Sequence, residues 1–246
     1  MTTKEEVLQN CTVEGVVIKL PNGQLERKLY QEVAKSLELI GGKWKGNKVM
    51  GFVFPEDPSE LLEQIANGEK RNLKKEFQFF ATPDSIADWL VELADLKNED
   101  SILEPSAGQG AIIKAIQRKV NSSVDCCELM EINQTFLNKM QKVVFLCADF
   151  FGLKTIYKLK YDKIIANPPF SKNQDIDHIK EMYSYLEKGG RLVSVASKHC
   201  QIASNKKETE FRNWLDEVGA KIHEIEPGAF KESGTMISSC VIVINK

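Results

Sequence analysis

From residue 79 to residue 246 the chain alternates short apolar runs with amphipathic stretches, and that alternation decides the fold class before any single residue is considered. The runs at 101–107, 124–128, 143–149, 161–166, 191–196, 220–226 and 238–245 have the aliphatic and β-branched content of strands. Between them, 111–119, 132–140, 176–187 and 208–218 place apolar residues at helical spacing. Strands that read as continuous apolar runs, separated by helices, predict a parallel sheet covered on both faces. Glu187-Lys188-Gly189-Gly190 predicts a helix stop. Residues 227–235 join the last two runs without a helical pattern, so an antiparallel hairpin is expected at one edge. The class is α/β, with a seven-stranded, mostly parallel sheet.

Residues 1–70 follow a different pattern and predict a small α+β module. Residues 13–20 read as a strand, followed by the turn Pro21-Asn22-Gly23. Leu25, Leu29, Val33, Leu37 and Ile40 mark a helix over 24–40, the run at 49–54 is apolar, and 58–66 reads as a short helix. The charged stretch at 71–78 reads as a linker to the larger domain at 79–246.

A net charge of -2 announces no global affinity for nucleic acid, so any basic surface is local. The six cysteines form no CxxC pair. Cys126, Cys127, Cys147 and Cys240 sit in apolar runs, which predicts buried reduced thiols and no metal site. No signal peptide and no run of about 18 apolar residues is present, so no membrane association and a cytoplasmic location are expected.

Two segments carry the chemistry. The first, SILEPSAGQG at 101–110, ends a strand in Glu104 and opens through Ser106, Gly108 and Gly110 onto a helix. Small residues let the backbone approach a ligand closely. An acid just before the loop repels a pyrophosphate but attracts a cationic amino or sulfonium group, which favours S-adenosylmethionine over NAD or ATP. Glu128 and Asp149 end the next two strands, where ligands of open α/β sheets bind. Glu128 is suited to both ribose hydroxyls, and Asp149 to an adenine amino group. The alternatives are a helix-N-terminus partner for Glu104 and solvated strand-end acids for the other two. Upstream, Phe79-Phe80-Ala81-Thr82-Pro83 precedes a helix over 84–94, with Thr82 expected as its N-cap and Pro83 in its first turn. The free N–H groups of that helix start would face a cofactor carboxylate.

The second segment is Asn167-Pro168-Pro169-Phe170, directly after the run at 161–166. Consecutive prolines cannot continue a sheet ladder, so the chain leaves its strand as a rigid loop. The Asn167 side-chain carbonyl and the Pro168 backbone carbonyl can both accept from one planar –NH₂ group. Phe170 supplies a face for stacking, worth roughly 1–3 kcal/mol in comparable sites. A plain Pro-Pro turn with Phe170 anchored in the core is the competing account.

Taken together, FFATP at 79–83, LEPSAGQGAI at 103–112, CCEL at 126–129, ADFF at 148–151, NPPF at 167–170 and GAFKESGT at 228–235 make the chain resemble the N6-adenine-specific DNA methyltransferases. The similarity is to compact, phage- or plasmid-type members without a large C-terminal target-recognition domain. It implies a Rossmann-like fold dependent on S-adenosylmethionine. It implies that Phe80, Thr82, Glu104, Ser106, Gly108, Gly110, Glu128, Asp149 and Phe150 line the cofactor site. Asn167, Pro168, Pro169 and Phe170 would hold a flipped adenine, with Phe230 packing against it. No general base is needed, and His178, His199 and His223 are expected as surface or helix residues.

The chain ends soon after its last strand, so the expectation is that the N-terminal module chooses the target, that a partner such as a specificity or restriction subunit does, or that recognition is lax. Lys43, Trp44 and Lys45, in a Gly-rich turn with Lys48, are the candidate DNA contact, together with the linker cluster Lys70, Arg71, Lys74 and Lys75. An RNA adenine methyltransferase, a protein-glutamine methyltransferase and a non-catalytic relative of the same fold are the rival expectations.

Overall fold

The computed structural model describes residues 1–54, 57–72, 81–156, 159–230 and 237–246. Phe79, Phe80, Lys74, Lys75 and positions 231–235 of the GAFKESGT stretch, all singled out above, lie outside the described residues. The chain forms two compact units, Met1–Phe79 and Phe80–Lys246.

The first unit opens with α1 (Lys4–Gln9), a helix the apolar pattern does not announce. Its signal is Thr3-Lys4-Glu5-Glu6: the Thr3 side chain caps the Glu6 amide, and Glu6 reaches back to the Thr3 backbone. The strand expected over 13–20 is two short strands, β1 (Thr12–Glu14) and β2 (Val17–Lys19), paired as a hairpin. Gly15, at φ +59°, makes the reversal that a continuous strand could not. Then follow α2 (Arg27–Leu39), β3 (Lys43–Lys45), β4 (Gly51–Val53) and α3 (Ser59–Ala66). The sheet order is β1-β2-β4-β3. Ile18, Phe52, Val33 and Leu37 belong to a core wholly within this unit.

The second unit contains α4 (Asp84–Ala94), β5 (Ile102–Glu104), α5 (Ala111–Lys119), β6 (Val124–Cys127), α6 (Glu131–Leu137) and β7 (Val143–Cys147). It continues through α7 (Leu153–Ile156), β8 (Tyr161–Ala166), α8 (Gln174–Tyr185), β9 (Leu186–Ser197), α9 (His199–Ile202), α10 (Lys206–Glu217), β10 (Lys221–Glu224) and β11 (Ser239–Asn245). The seven strands run β10-β11-β9-β8-β5-β6-β7. β5 to β9 pair in parallel, while β11 pairs antiparallel with both β9 and β10, giving the expected antiparallel edge.

Adjacent strand residues feed opposite faces, as a pleated strand requires. Ile102, Ile165, Val193 and Val241 pack with α4 and α5, whereas Leu103, Ile164, Leu192 and Ile242 pack with α8 and α10. This two-sided burial explains why the strands read as unbroken apolar runs.

A further departure lies between α8 and β9. The helix α8 stops at Tyr185, and Glu187-Lys188-Gly189-Gly190 belongs to the entrance of β9. A Cβ on Gly190 would lie 2.9 Å from the Glu187 carbonyl and 3.0 Å from that of Asp162, so glycine is demanded here by a close approach to β8 rather than by a helix end. Among the described residues no helix is long and apolar enough to cross a membrane.

Candidate functional site

β5 and β8 are neighbours, with Ile102 opposite Lys163 and Leu103 opposite Ile164. The chain nevertheless visits β6 and β7 between them, so its crossovers diverge at this pair. The crevice beyond the carboxyl ends of such a pair is where open α/β sheets bind ligands. β5 ends on Glu104 and β8 is followed directly by Asn167, which brings the two sequence segments to one place.

Glu104 is 1% exposed. It accepts a hydrogen bond from the Ile113 backbone at the start of α5, yet its Oε2 has no partner. Burial first, and then the charge of Glu128, push its pKa well above the usual carboxylate range. The loop that follows adds a second orphan, the buried hydroxyl of Ser106. Gly108 and Gly110 hold φ of +53° and +77°, and a Cβ on Gly110 would come within 2.5 Å of Met140 Sδ. The Ala107 amide donates to the Cys127 carbonyl at 3.0 Å, tying this loop to the end of β6.

Glu128 is buried and more heavily engaged than the sequence implies. Its Oε2 accepts from the Gly108 amide at 2.7 Å. Its Oε1 accepts from the Met130 amide at 2.8 Å and from Asn133 Nδ2 at 3.2 Å. A carboxylate offers about four acceptor positions, so taking both hydroxyls of a ribose would require one of these bonds to open. Asn133, fully buried, has no distinguishing mark in the sequence, because its partner is fixed only once α6 folds back on the strand end. Asp149 is exposed, and its Oδ1 accepts from the Phe151 amide at 3.0 Å, starting a short 3-10 turn.

Phe150 is a correction. It is 2% exposed and packs among Tyr185, Phe151 and His178 beneath the loop, leaving no ring face for a cofactor. His178, expected as a surface or helix residue, lies on α8 and is buried in the same cluster with Nδ1 unpartnered, and burial lowers its pKa to about 4. Leu129, beside Glu128, is 58% exposed.

Thr82 is a second correction. Pro83 occupies the N-cap position, its carbonyl accepting from the Ala87 amide at 2.9 Å, and no side chain caps α4. The Thr82 hydroxyl instead accepts from Asn167 Nδ2 at 3.1 Å. With the amide nitrogen held there, Oδ1 is left as the opposite, accepting end of the group. Pro168 is buried, Pro169 and Phe170 are half-buried, and Phe170 packs on the core beside α4 and α5. Phe230 is in that same core at 4% exposure, so its ring has no face to offer a base.

In the other unit, Lys43, Trp44 and Lys45 form β3, one arm of an antiparallel hairpin with β4. All three are exposed, and Trp44 sits edge-on to Phe52 with ring centroids 5.2 Å apart. All six cysteines are free thiols; Cys126, Cys127, Cys200 and Cys240 are buried, while Cys147 is only half-buried. Among the described residues, no three or more His, Cys, Asp and Glu side chains gather as a metal site would need.

The crevice thus has a buried carboxylate oxygen and a buried hydroxyl without partners beneath a glycine loop. Orphaned polar atoms of this kind are costly unless a ligand satisfies them, and a ligand carrying a cationic amino or sulfonium group satisfies the carboxylate in particular. S-adenosylmethionine fits this donor set.

Comparison with known proteins agrees. A curated relative, ribosomal RNA small subunit methyltransferase A of Hydrogenobaculum sp. (strain Y04AAS1), is 28% identical over 70% of each chain. The type II methyltransferase M.AccI of Acinetobacter calcoaceticus is 30% identical over 46% of this chain and 22% of its own. The crystal structure of a type I restriction-modification system methyltransferase subunit from Streptococcus thermophilus superposes with a TM-score of 0.55 at 19% identity, a likeness of fold. That match covers 68% of this chain and 44% of the subunit, so the chain spans less than half the length of that subunit and of M.AccI. The family model described as the methyltransferase small domain matches residues 80–218, the span that holds both segments of the crevice. The chain therefore belongs to the methyltransferase small domain family and depends on S-adenosylmethionine.

Proposed function

We propose that the chain methylates the exocyclic N6 amino group of an adenine in DNA, held outside the duplex. The observation that carries this proposal is the bond from Asn167 Nδ2 to Thr82 Oγ1, which leaves the carboxamide oxygen as the unengaged, accepting end of the group.

The lone pair of an aromatic amine is delocalised into its ring, which makes it a poor nucleophile. Asn167 Oδ1 and the Pro168 carbonyl accept its two hydrogens, which draws the nitrogen toward a tetrahedral shape and frees the pair. Pro169 keeps the loop extended, and Phe170 stacks on the base, offsetting the unstacking cost of a few kcal/mol. Bound S-adenosylmethionine supplies an electrophilic methyl group on a good leaving group. Glu104 and Ser106 hold the cationic amino-acid end, Gly108 and Gly110 allow close backbone approach, and Glu128 and Asp149 bind the nucleoside end. Thr82 belongs to both halves of the site. Positioning does most of the work, and water removes the proton after transfer.

Residues 79–246 are the catalytic domain in this account. Residues 1–70 contribute target contacts through Lys43, Trp44 and Lys45, and 71–78 link the two. A specificity or restriction subunit is the partner chemistry to look for, since a structural neighbour is a subunit of a restriction-modification system. A second account, methylation of an adenine in ribosomal RNA, is favoured by the relative matched over 70% of both chains.

Asn167→Ala is expected to retain cofactor binding and to lose transfer by at least ~100-fold, the scale of one preorganised polar contact. Tritiated S-adenosylmethionine with unmethylated DNA, ribosomal RNA and protein as parallel acceptors reads both questions. Full activity of Asn167→Ala would remove the loop from the chemistry. Label confined to RNA would replace the DNA account with the second one, and label confined to protein glutamine would replace both.

A further inference from the structure

Two residues after Phe170 the backbone enters a region that most residues other than glycine and asparagine avoid. Lys172 and Asn173 both adopt left-handed conformations, at φ +52° and +59°. Each such residue costs on the order of 1–3 kcal/mol and persists only where its surroundings impose it. Two in succession, a few residues from the proposed amine acceptors, need a brace.

The brace comes from α10, more than thirty residues away in the chain. Asn173 Nδ2 donates to Glu208 Oε1 at 2.7 Å. Lys207 Nζ donates to the Asn173 carbonyl at 3.0 Å and to Asp177 Oδ2 at 2.6 Å. The Asn173 amide closes the turn on the Phe170 carbonyl at 3.2 Å. Glu208 is fully buried, receives a further bond from Asn205 Nδ2 at 3.3 Å, and has His199 Nε2 at 3.3 Å. Its Oε2 has no partner, so the contacts with Asn173, Asn205 and His199 all fall on Oε1. A hydrogen bond to an ionised acceptor is about twice as strong as a neutral one, which suits a group that must hold a strained turn.

We propose that Glu208 is a positioning residue for methyl transfer: it locks Asn173 in its left-handed turn and so fixes the direction of Phe170 and the Pro168 carbonyl. The inference rests on the account of the Asn167–Phe170 loop given above. It assigns Glu208 no contact with substrate or cofactor.

The test uses the whole chain and four variants. Glu208→Leu is expected to lower kcat by ~10- to 100-fold, the effect of a small misplacement of a reacting group, with the dissociation constant for S-adenosylmethionine changed less than ~2-fold. Glu208→Gln, which keeps an acceptor for Asn173, is expected within ~3-fold of the parent protein on the same scale. Because glycine takes positive φ without strain, Asn173→Gly added to Glu208→Leu should recover most of the lost kcat. Hydrogen exchange at the Asn173 amide supplies a readout independent of substrate, and it should quicken in Glu208→Leu while the amides of β8 do not change. Unchanged exchange at Asn173 overturns the brace. A loss of kcat that Asn173→Gly does not recover, or that Glu208→Gln shares in full, also overturns it. Should Asn167→Ala retain full transfer, the loop account fails as a whole; should it be inactive while Glu208→Leu is active, only this inference fails.

Discussion

Asn167 donates through Nδ2 to the hydroxyl of Thr82 at 3.1 Å, joining two residues 85 positions apart in the chain. In this arrangement the amide nitrogen is engaged and Oδ1 is the end of the group left to accept. Thr82→Val keeps the shape and removes the acceptor. Transfer is expected to fall by about 3- to 10-fold, the net worth of one hydrogen bond, while Thr82→Ser retains it. Single-turnover rates on saturating cofactor would show this, and an unchanged rate in Thr82→Val would mean that the amide is oriented by something else.

Glu104 gives a pH signature. Its carboxyl titrates above 4.5 in the fold, chiefly through burial. Folded protein therefore binds the proton more tightly than the unfolded chain. Stability from this group is complete below the unfolded value and is lost as pH rises through the folded one. Glu104→Gln should accordingly raise the cofactor-free melting temperature at pH 8, by about 2–4 °C for each kcal/mol relieved, and give no gain near pH 4. The same variant should bind S-adenosylmethionine more weakly. Melting curves with and without cofactor at the two pH values separate the effects.

His178 acts in the opposite direction. Burial lowers its pKa from 6.5 to about 4, against smaller upward pulls from Asp149 and Asp177. The folded state resists protonation, so the stability it carries is present above pH 6.5 and is lost as pH falls toward 4. Protonation there costs the fold roughly 3 kcal/mol. Replacing His178 with Phe should flatten the acid limb of the stability profile in urea titrations between pH 7 and pH 4.5. A profile as steep as the parent's would assign that limb to carboxylates.

The proposed role of Lys43 and Lys45 in target recognition is open to a direct test. If β3 meets a phosphate backbone, changing both to Gln should reduce the slope of log affinity against log salt by about 0.9 for each duplex phosphate that a lysine no longer neutralises. Fluorescence anisotropy with an unmethylated duplex at several salt concentrations measures it. A slope equal to the parent's would exclude these lysines.

Much of the scaffold was legible because local signals coincide with tertiary ones. The strand at 161–166 ends where Pro168 and Pro169 forbid a ladder, and the helix at 111–119 starts where Gly108 and Gly110 take positive φ. Reading failed where a residue's partner is remote. Gly190 looks like a helix stop, but it is small to clear the carbonyls of Tyr161 and Asp162. A threonine before proline looks like a cap, and only the fold shows it facing Asn167. Phe150 carries the polarity of a loop neighbour in sequence and the burial of a core residue in space. Glu208 and Asn173 have no sequence signature at all, since neither their spacing nor their type sets them apart from a solvated helix start.

The Gly108 amide and the Glu128 carboxylate satisfy each other at 2.7 Å. The glycine loop is therefore tied to the end of β6, and a nucleoside bound as proposed would share that oxygen with a backbone amide. Measured affinity then reports the difference between two sets of contacts.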